Sequence, residues 1–286
     1  MSRELHLRSG SLQAGPWALQ VTPANAGWEW SSLRVAELTP GASLTFDTSD
    51  DEMVVISLAG SVLVESDGDQ AFIEGRASVF AGVSDFVYLP RQRRVTLSSE
   101  RGGRFALPAA KASSTRPFRY QPKSAIPVEY RGAGPSSRRV VNFCTTDSFD
   151  AEHLIACEVV TPGGNWSSYP PHKHDEEREG ESQLEEIYYY EIDEADHERG
   201  LAYQRVYGTP ERPLDVLAEV GTGDVVLIPH GWHGPSMAAP GYDLYYLNVM
   251  AGPGPRAWSI CDDPAHAWVR GTWPTLDFDP RALAPE

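Results

Sequence analysis

At 286 residues the chain is long enough to bury one large core or two medium ones. Its 41% hydrophobic and 22% charged residues are ordinary for a soluble globular protein. The formal net charge of -16 repels phosphate backbones, so neither nucleic acid nor an anionic membrane is an expected partner. Three scattered cysteines (Cys144, Cys157, Cys261) form no CxxC pair and argue against a disulfide framework. The stretch "MSRELHLRSGSLQ" has no apolar run of signal-peptide length, and nothing approaches the roughly eighteen apolar residues of a membrane span. A cytoplasmic protein is the expectation.

Along the chain, 25 glycines and 23 prolines bound short segments, so strands and turns are expected and long helices are not. "DEMVVISLAGSVLVESDG", "SVFAGVSDFVYLP", "RVTLSSE" and "RFALPAA" are brief apolar or β-branched runs. The stretch Pro108 to Arg139 is rich in proline, serine and basic residues, lacks sustained alternation and reads as a connector. Strand patterns resume at "RVVNFC" and "AEHLIACEVVTPGG" and continue through "IYYYEI", "LAYQRVYG", "DVVLIPHGWH" and "YDLYYLNVMAG". The tail "WPTLDFDPRALAPE" reads as turn-rich and wrapped over a surface. The two halves repeat one order, strand, gap, then strand ending at a proline, so the fold class expected is all-β with a duplicated β domain. The dividing line is placed at residues 120 and 121, giving domains 1–120 and 121–286. His6 lies outside the strand patterns, and the other seven histidines lie from His153 onward, so a metal held by imidazole belongs to the second half.

The stretch "GGNWSSYPPHKHDEEREGESQLEEIYYYEI" carries the chemistry. In a strand His172 and His174 share a face and can chelate one ion, with Lys173 pointing away. A solvent-facing pair of histidines is the competing reading. "GDVVLIPHGWH" reads as a strand ending in a tight turn that presents His233, with His230 capping the turn or facing water. "DEEREGES" reads as an acidic loop inserted at the mouth of the site, most of its carboxylates merely solvated. Glu186 opens the next strand, sharing a face with Tyr188 and Tyr190, while Glu185, Ile187 and Tyr189 share the other.

Together, HxH with a downstream glutamate and G(x5)P(x)G with a nearby histidine resemble the two motifs of the cupin superfamily. The lettering of "HLIACEVVTPGGNWSSYPPHKHD", "LEEIYYY", "PHGWHGP" and "PGYDLYYLNVMAGP", with "VTPANAGWEWSSLRVAELTPGAS" near the start, resembles the bicupin 5-deoxy-glucuronate isomerases of myo-inositol catabolism. That resemblance implies two tandem jelly-roll-like cupin barrels, the first without metal and the second holding a divalent ion. General cupin spacing points to Glu179 as the carboxylate ligand. The family's glutamate directly precedes an aromatic strand, which favours Glu186. The implied ligand set is His172, His174, Glu186 and His233.

Such a set suits Zn²⁺ first, with Mn²⁺, Fe²⁺ or Ni²⁺ also accommodated. The implied reaction is an aldose–ketose isomerisation of 5-deoxy-glucuronate to 2-deoxy-5-keto-gluconate through an enediolate, with no cosubstrate. Tyr188, Tyr190 and Asp243 are the candidates for moving the proton. Asp243 and Tyr245 alternate with Tyr246 and Asn248, and the pattern does not say which pair faces inward. Arg139, Arg205 and Arg256 are the candidate cations for the sugar acid's carboxylate. The alternatives are a 4-deoxy-5-keto-uronate isomerase, which shares the fold and metal logic, and an iron cupin dioxygenase, which would consume O₂. A non-catalytic regulator would need a DNA-binding segment, and no basic helix-turn-helix pattern is present. The sequence leaves assembly open, a homo-oligomer included.

Overall fold

The computed structural model describes residues 4–194 and 199–283; His197 and residues 284–286 lie outside the described residues. Almost all regular structure is antiparallel β, as the short turn-bounded runs require. The one α-helix among the described residues is a single turn, Pro23–Ala26, capped by Thr22.

The first barrel is a nine-stranded curled sheet. Its spine is the sixteen-residue strand Asp51–Ser66, which pairs with Gly103–Lys111, Phe86–Leu89, Asp69–Arg76 and Arg94–Ser99. Its interior is filled by side chains such as Met53, Val55, Val62, Leu97 and Phe105. The second barrel is built on a seven-stranded sheet, whose central strands are Glu185–Ile192, Leu244–Ala251 and Ile155–Thr161. A four-stranded sheet, Trp166–Ser167, Ser236–Ala238, Ala202–Tyr207 and Asp215–Val220, closes the other side.

The seven-stranded sheet is covered on both faces. All eight residues of Leu244–Ala251 and all seven of Ile155–Thr161 are buried, which is why these strands read as continuous apolar runs. Alternate residues divide between two cores. Cys157, Val159, Tyr188, Tyr190 and Tyr246 face the inside of the second barrel. Ala156, Ile187, Tyr189, Tyr245 and Leu247 face the first barrel and pack with its Val54, Ile56, Phe86 and Tyr88.

Charges cross this seam reciprocally. Glu52 of the first barrel, 1% exposed, accepts the backbone N–H groups of Glu152, His153 and Leu154 at 2.8, 2.6 and 2.7 Å. Glu185 of the second accepts those of Glu29, Trp30 and Ser31 at 2.8, 2.9 and 3.0 Å. Arg76 is buried against Glu158, which also accepts from Tyr245 at 2.7 Å, and Arg104 reaches Glu191 at 2.8 Å.

Three expectations change. The connector is not structureless: Pro108 to Arg139 contains the end of one strand, the strands Arg119–Gln121 and Val128–Arg131, two 3₁₀ turns and the start of Arg138–Cys144. The placed dividing line falls within Arg119–Gln121, which pairs with Phe86–Leu89 of the first sheet; Val128–Arg131 pairs with Arg138–Cys144 of the second. His6 does lie in a strand: His6–Leu7 pairs with Val225–Val226, and its ring bonds Asp224 at 2.9 Å. His6 and Leu7 therefore edge the second barrel's sheet. The acidic stretch is a hairpin, Asp175–Arg178 against Glu181–Gln183, rather than an open loop.

Because the buried Glu52 accepts three backbone N–H groups, Glu52→Ala should lower unfolding free energy by about 3 kcal/mol or more. The exposed Leu217→Ala (70% exposed) should stay within about 0.5 kcal/mol of the parent. Urea titration of both variants measures this.

Candidate metal centre and its cavity

His172 and His233 sit where two short segments meet. They exchange both backbone hydrogen bonds, His172 N to His233 O at 2.9 Å and His233 N to His172 O at 2.8 Å. This single bridge locks the "HKH" segment to the "GWH" turn. Gly234 makes the approach sterically feasible. Its φ is +112°, and a Cβ there would lie 2.9 and 3.0 Å from the His172 ring and collide with the Ser168 carbonyl.

The side chains converge as the alternation requires. One nitrogen from each of His172, His174 and His233 lies within 4.8 Å of the other two. His174 Nε2 is 3.1 Å from His233 Nε2, and Glu186 Oε2 is 3.2 Å from the former and 2.9 Å from the latter. All four are at most 7% exposed. His233 Nδ1–H donates to the Gly231 carbonyl at 2.8 Å, which aims Nε2 inward at Glu186. Burial lowers the His172 pKa, and His233 and His174 beside it lower it further, so this imidazole stays neutral. Burial disfavours the Glu186 carboxylate, but hydrogen bonds from His174 and His233 outweigh it and hold the group at about 2. Three imidazole nitrogens and a carboxylate oxygen crowded together, away from water, fit a divalent cation. Glu179 is exposed near the hairpin turn and takes no part, and His230 is half-buried with its pKa lowered by burial and Arg212.

Lys173 points away from the histidines, as expected, into the acidic hairpin. Its ammonium bonds Glu181 at 2.6 Å and Asp175 at 2.7 Å. Asp175 also accepts the Gly231 N–H at 2.8 Å and pairs with Arg212 at 3.0 Å. Asp175 thus ties the two ligand-bearing segments together and Glu181 secures Lys173 beside it, while Glu176, Glu177 and Glu179 are exposed.

Beside the cluster lies a cavity of about 350 Å³, lined by its His172 and Glu186 together with Tyr188, Cys157, Asn248, Trp258, Asp262 and Arg270. The inward pair on Leu244–Ala251 is therefore Tyr246 and Asn248. Of the three proton-moving candidates only Tyr188 lines the cavity. Burial, then the neighbouring Glu186, raises its pKa well above the ordinary phenol value, so the phenol stays protonated. Tyr190 is stacked behind it, ring centres 6.0 Å apart, within the core. Asp243 is outside the cavity lining and accepts the Gly163 N–H at 2.8 Å.

None of the three candidate arginines faces the cavity. Arg139 alternates to the other side of its strand and donates to the Leu283 carbonyl. Arg205 pairs with Asp215 at 2.5 Å and lies over Tyr207. Arg256 is consumed by the carbonyls of Leu154, Phe149, Cys144 and Thr145. The arginines lining the cavity are Arg131, Arg138 and Arg270. Arg138 was one residue away from a candidate; a choice of inward face for the strand would have found it. Asp262 and Arg270 come from the tail, where Cys261–Asp262 pairs with His172–Lys173, and no sequence periodicity marks that docking.

The sequence model of the KduI/IolB family matches residues 5–269. A 5-deoxy-glucuronate isomerase of Geobacillus thermodenitrificans is 42% identical over 254 residues, 88% of this chain and 90% of its own. One of Bacillus subtilis is 36% identical over 87% and 91%. Among solved structures, an IolB-like protein from Salmonella typhimurium LT2 superposes with a TM-score of 0.85 at 33% identity, covering 93% of this chain and 99% of its own. Bacillus subtilis oxalate decarboxylase shares the fold alone, with a TM-score of 0.61 at 14% identity, covering 92% and 80%. With a bicupin architecture, a closed His₃Glu cluster and relatives of this identity along most of its length, the chain belongs to the KduI/IolB family.

Proposed function

We propose that the chain is a 5-deoxy-glucuronate isomerase, an aldose–ketose isomerase yielding 2-deoxy-5-keto-gluconate in inositol catabolism. The observation that carries this is the convergence of His172, His174, His233 and Glu186 in one buried cluster, of which His172 and Glu186 line a cavity beside a protonated Tyr188. The isomerases of Geobacillus and Bacillus that match most of the chain support the substrate. The sugar acid is the expected partner, with neither nucleic acid nor membrane required, and the cytoplasm is the proposed compartment. No helix among the described residues is long and apolar enough to cross a membrane.

His172, His174, His233 and Glu186 would hold a divalent ion, Zn²⁺ by preference. When bound, it supplies Lewis acidity toward a carbonyl oxygen and the neighbouring hydroxyl. The chain's own residues do the rest. Tyr188 donates its phenolic proton to the oxygen that gains charge as the carbonyl moves between neighbouring carbons. Asn248 offers Nδ2, a buried donor without a protein partner among the described residues, while its Oδ1 lies 3.8 Å from the Cys157 thiol. Trp258 and Ile260 line the same space with apolar surface.

Zinc-loaded enzyme kept under nitrogen should consume the aldehyde proton signal of 5-deoxy-glucuronate by NMR, and product formed in D₂O should carry label at the carbon that gains hydrogen. Activity that requires O₂, with none under nitrogen, would replace this reading with the dioxygenase one. Tyr188→Phe should lower kcat on the order of a hundredfold while leaving zinc content intact.

Metal loading should follow the protonation of the ligands. The Glu186 carboxylate stays ionised, whereas protons compete for the imidazoles, so zinc per chain should fall between about pH 8 and about pH 5. Glu186→Gln should lose most of the zinc at any pH and Glu179→Gln none. Gly234→Ala should lose it too, through displacement of His172. Metal analysis of each purified variant is the measurement.

A further inference from the structure

The cavity's three arginines differ in their partners. Arg131 is held by both oxygens of Glu129, at 2.8 and 2.6 Å. Arg270 is held by both oxygens of Asp262. Arg138 has no carboxylate partner among the described residues. Its Nη1 donates to the Ser136 carbonyl at 2.9 Å and reaches the Tyr169 carbonyl at 3.5 Å, and its guanidinium lies 5.6 Å from the centre of the Trp273 ring.

Arg138 is only 3% exposed. Burial pulls its pKa down to about 10, with Arg131 and Arg270 adding to the effect, and the group is still charged at neutral pH. A buried cation without a counter-ion is among the costliest arrangements a fold can keep. Its strand neighbour Arg139 has turned to the opposite face, so the alternation that directs Arg138 inward is the same one that directs Val140 there.

We infer that Arg138 is the anion anchor of the cavity: it receives the carboxylate of a monoanionic sugar acid while the carbonyl end lies toward His172 and Glu186. The choice of substrate class rests on the isomerase reading above. Arg138 is the one lining arginine without a carboxylate partner among the described residues, so a ligand carboxylate completes its pairing. The planar guanidinium fork matches a carboxylate's two oxygens. Anchoring one end of the chain at Arg138 and reacting the other at the histidines selects aldoses that end in an acid over neutral aldoses of equal length.

The test uses the full-length, zinc-loaded protein and two unreactive probes, D-gluconate and the neutral D-glucitol, titrated by calorimetry. Arg138→Gln should weaken gluconate binding on the order of a hundredfold and leave glucitol unchanged. Arg205→Gln, on the outer sheet, should alter neither. Without ligand, Arg138→Gln should melt no lower than the parent, and gluconate should raise the parent's Tm but not the variant's. If the glutamine variant does not fold, Arg138→Lys decides: it keeps the charge but loses the fork, and gluconate should bind at least about tenfold more weakly. Unchanged gluconate affinity in a folded variant, equal losses for gluconate and glucitol, or no gluconate binding by the parent overturns the anchor. Turnover separates the two readings. Arg138-dependent gluconate binding without any conversion of 5-deoxy-glucuronate keeps the anchor and removes the isomerase. Normal conversion with an unchanged KM in Arg138→Gln does the reverse.

Discussion

One sheet whose central strands are buried on both faces organises the molecule. Its strands alternate between two interiors, so each pair of consecutive residues splits its duties. Glu185 holds the neighbouring barrel's backbone while Glu186 joins the histidines. Tyr188 faces the cavity and Tyr189 the seam. Cys157 looks toward Asn248 and Glu158 toward Arg76. A one-residue slip in register would exchange site and seam at every position, so the joining of the barrels and the assembly of the centre are enforced by the same pairing.

The buried charges follow a consistent logic. On the seam face every carboxylate is met by an arginine, a tyrosine hydroxyl or a set of backbone N–H groups, as at Glu52, Glu158, Glu185 and Glu191. Those groups are satisfied within the protein and hold it together. On the cavity face two arginines are likewise neutralised, but among the described residues Arg138 has no carboxylate partner and the donor Asn248 Nδ2 has no partner. Unfinished bonding of this kind marks where a protein expects something other than itself.

Much of this was legible from the residues, and the boundary of legibility has a physical cause. Period-two alternation fixes which residues share a face, and it correctly grouped His172 with His174 and Glu186 with Tyr188. It cannot say which face is inside when both are buried, because both are then apolar. That is why Arg139 stood in for Arg138 and why Asp243 and Tyr246 could not be separated. The acidic hairpin was hidden for a different reason. Its pairing depends on Glu181 and Asp175 neutralising a buried Lys173, a tertiary ion cluster that polar composition disguises as loop. Long-range docking left no trace at all: the strands His6–Leu7 and Cys261–Asp262 are two residues each, too short for any pattern.

Those two short strands have a consequence for how the chain comes together. His6–Leu7 extends the second barrel's sheet at Val225–Val226, and Cys261–Asp262 zips onto His172–Lys173. The strands of the first barrel all lie between residues 19 and 121, so its sheet can close while the ribosome is still adding the second half. The second barrel must wait for residues near both ends of the chain, contacts of very high sequence separation and correspondingly slow closure. The cavity beside the histidine cluster is complete only when Asp262 and Arg270 arrive. Until then the finished first barrel offers a preformed apolar wall on which the late strands can settle, which gives a barrel holding none of the candidate ligands a part in building the one that does.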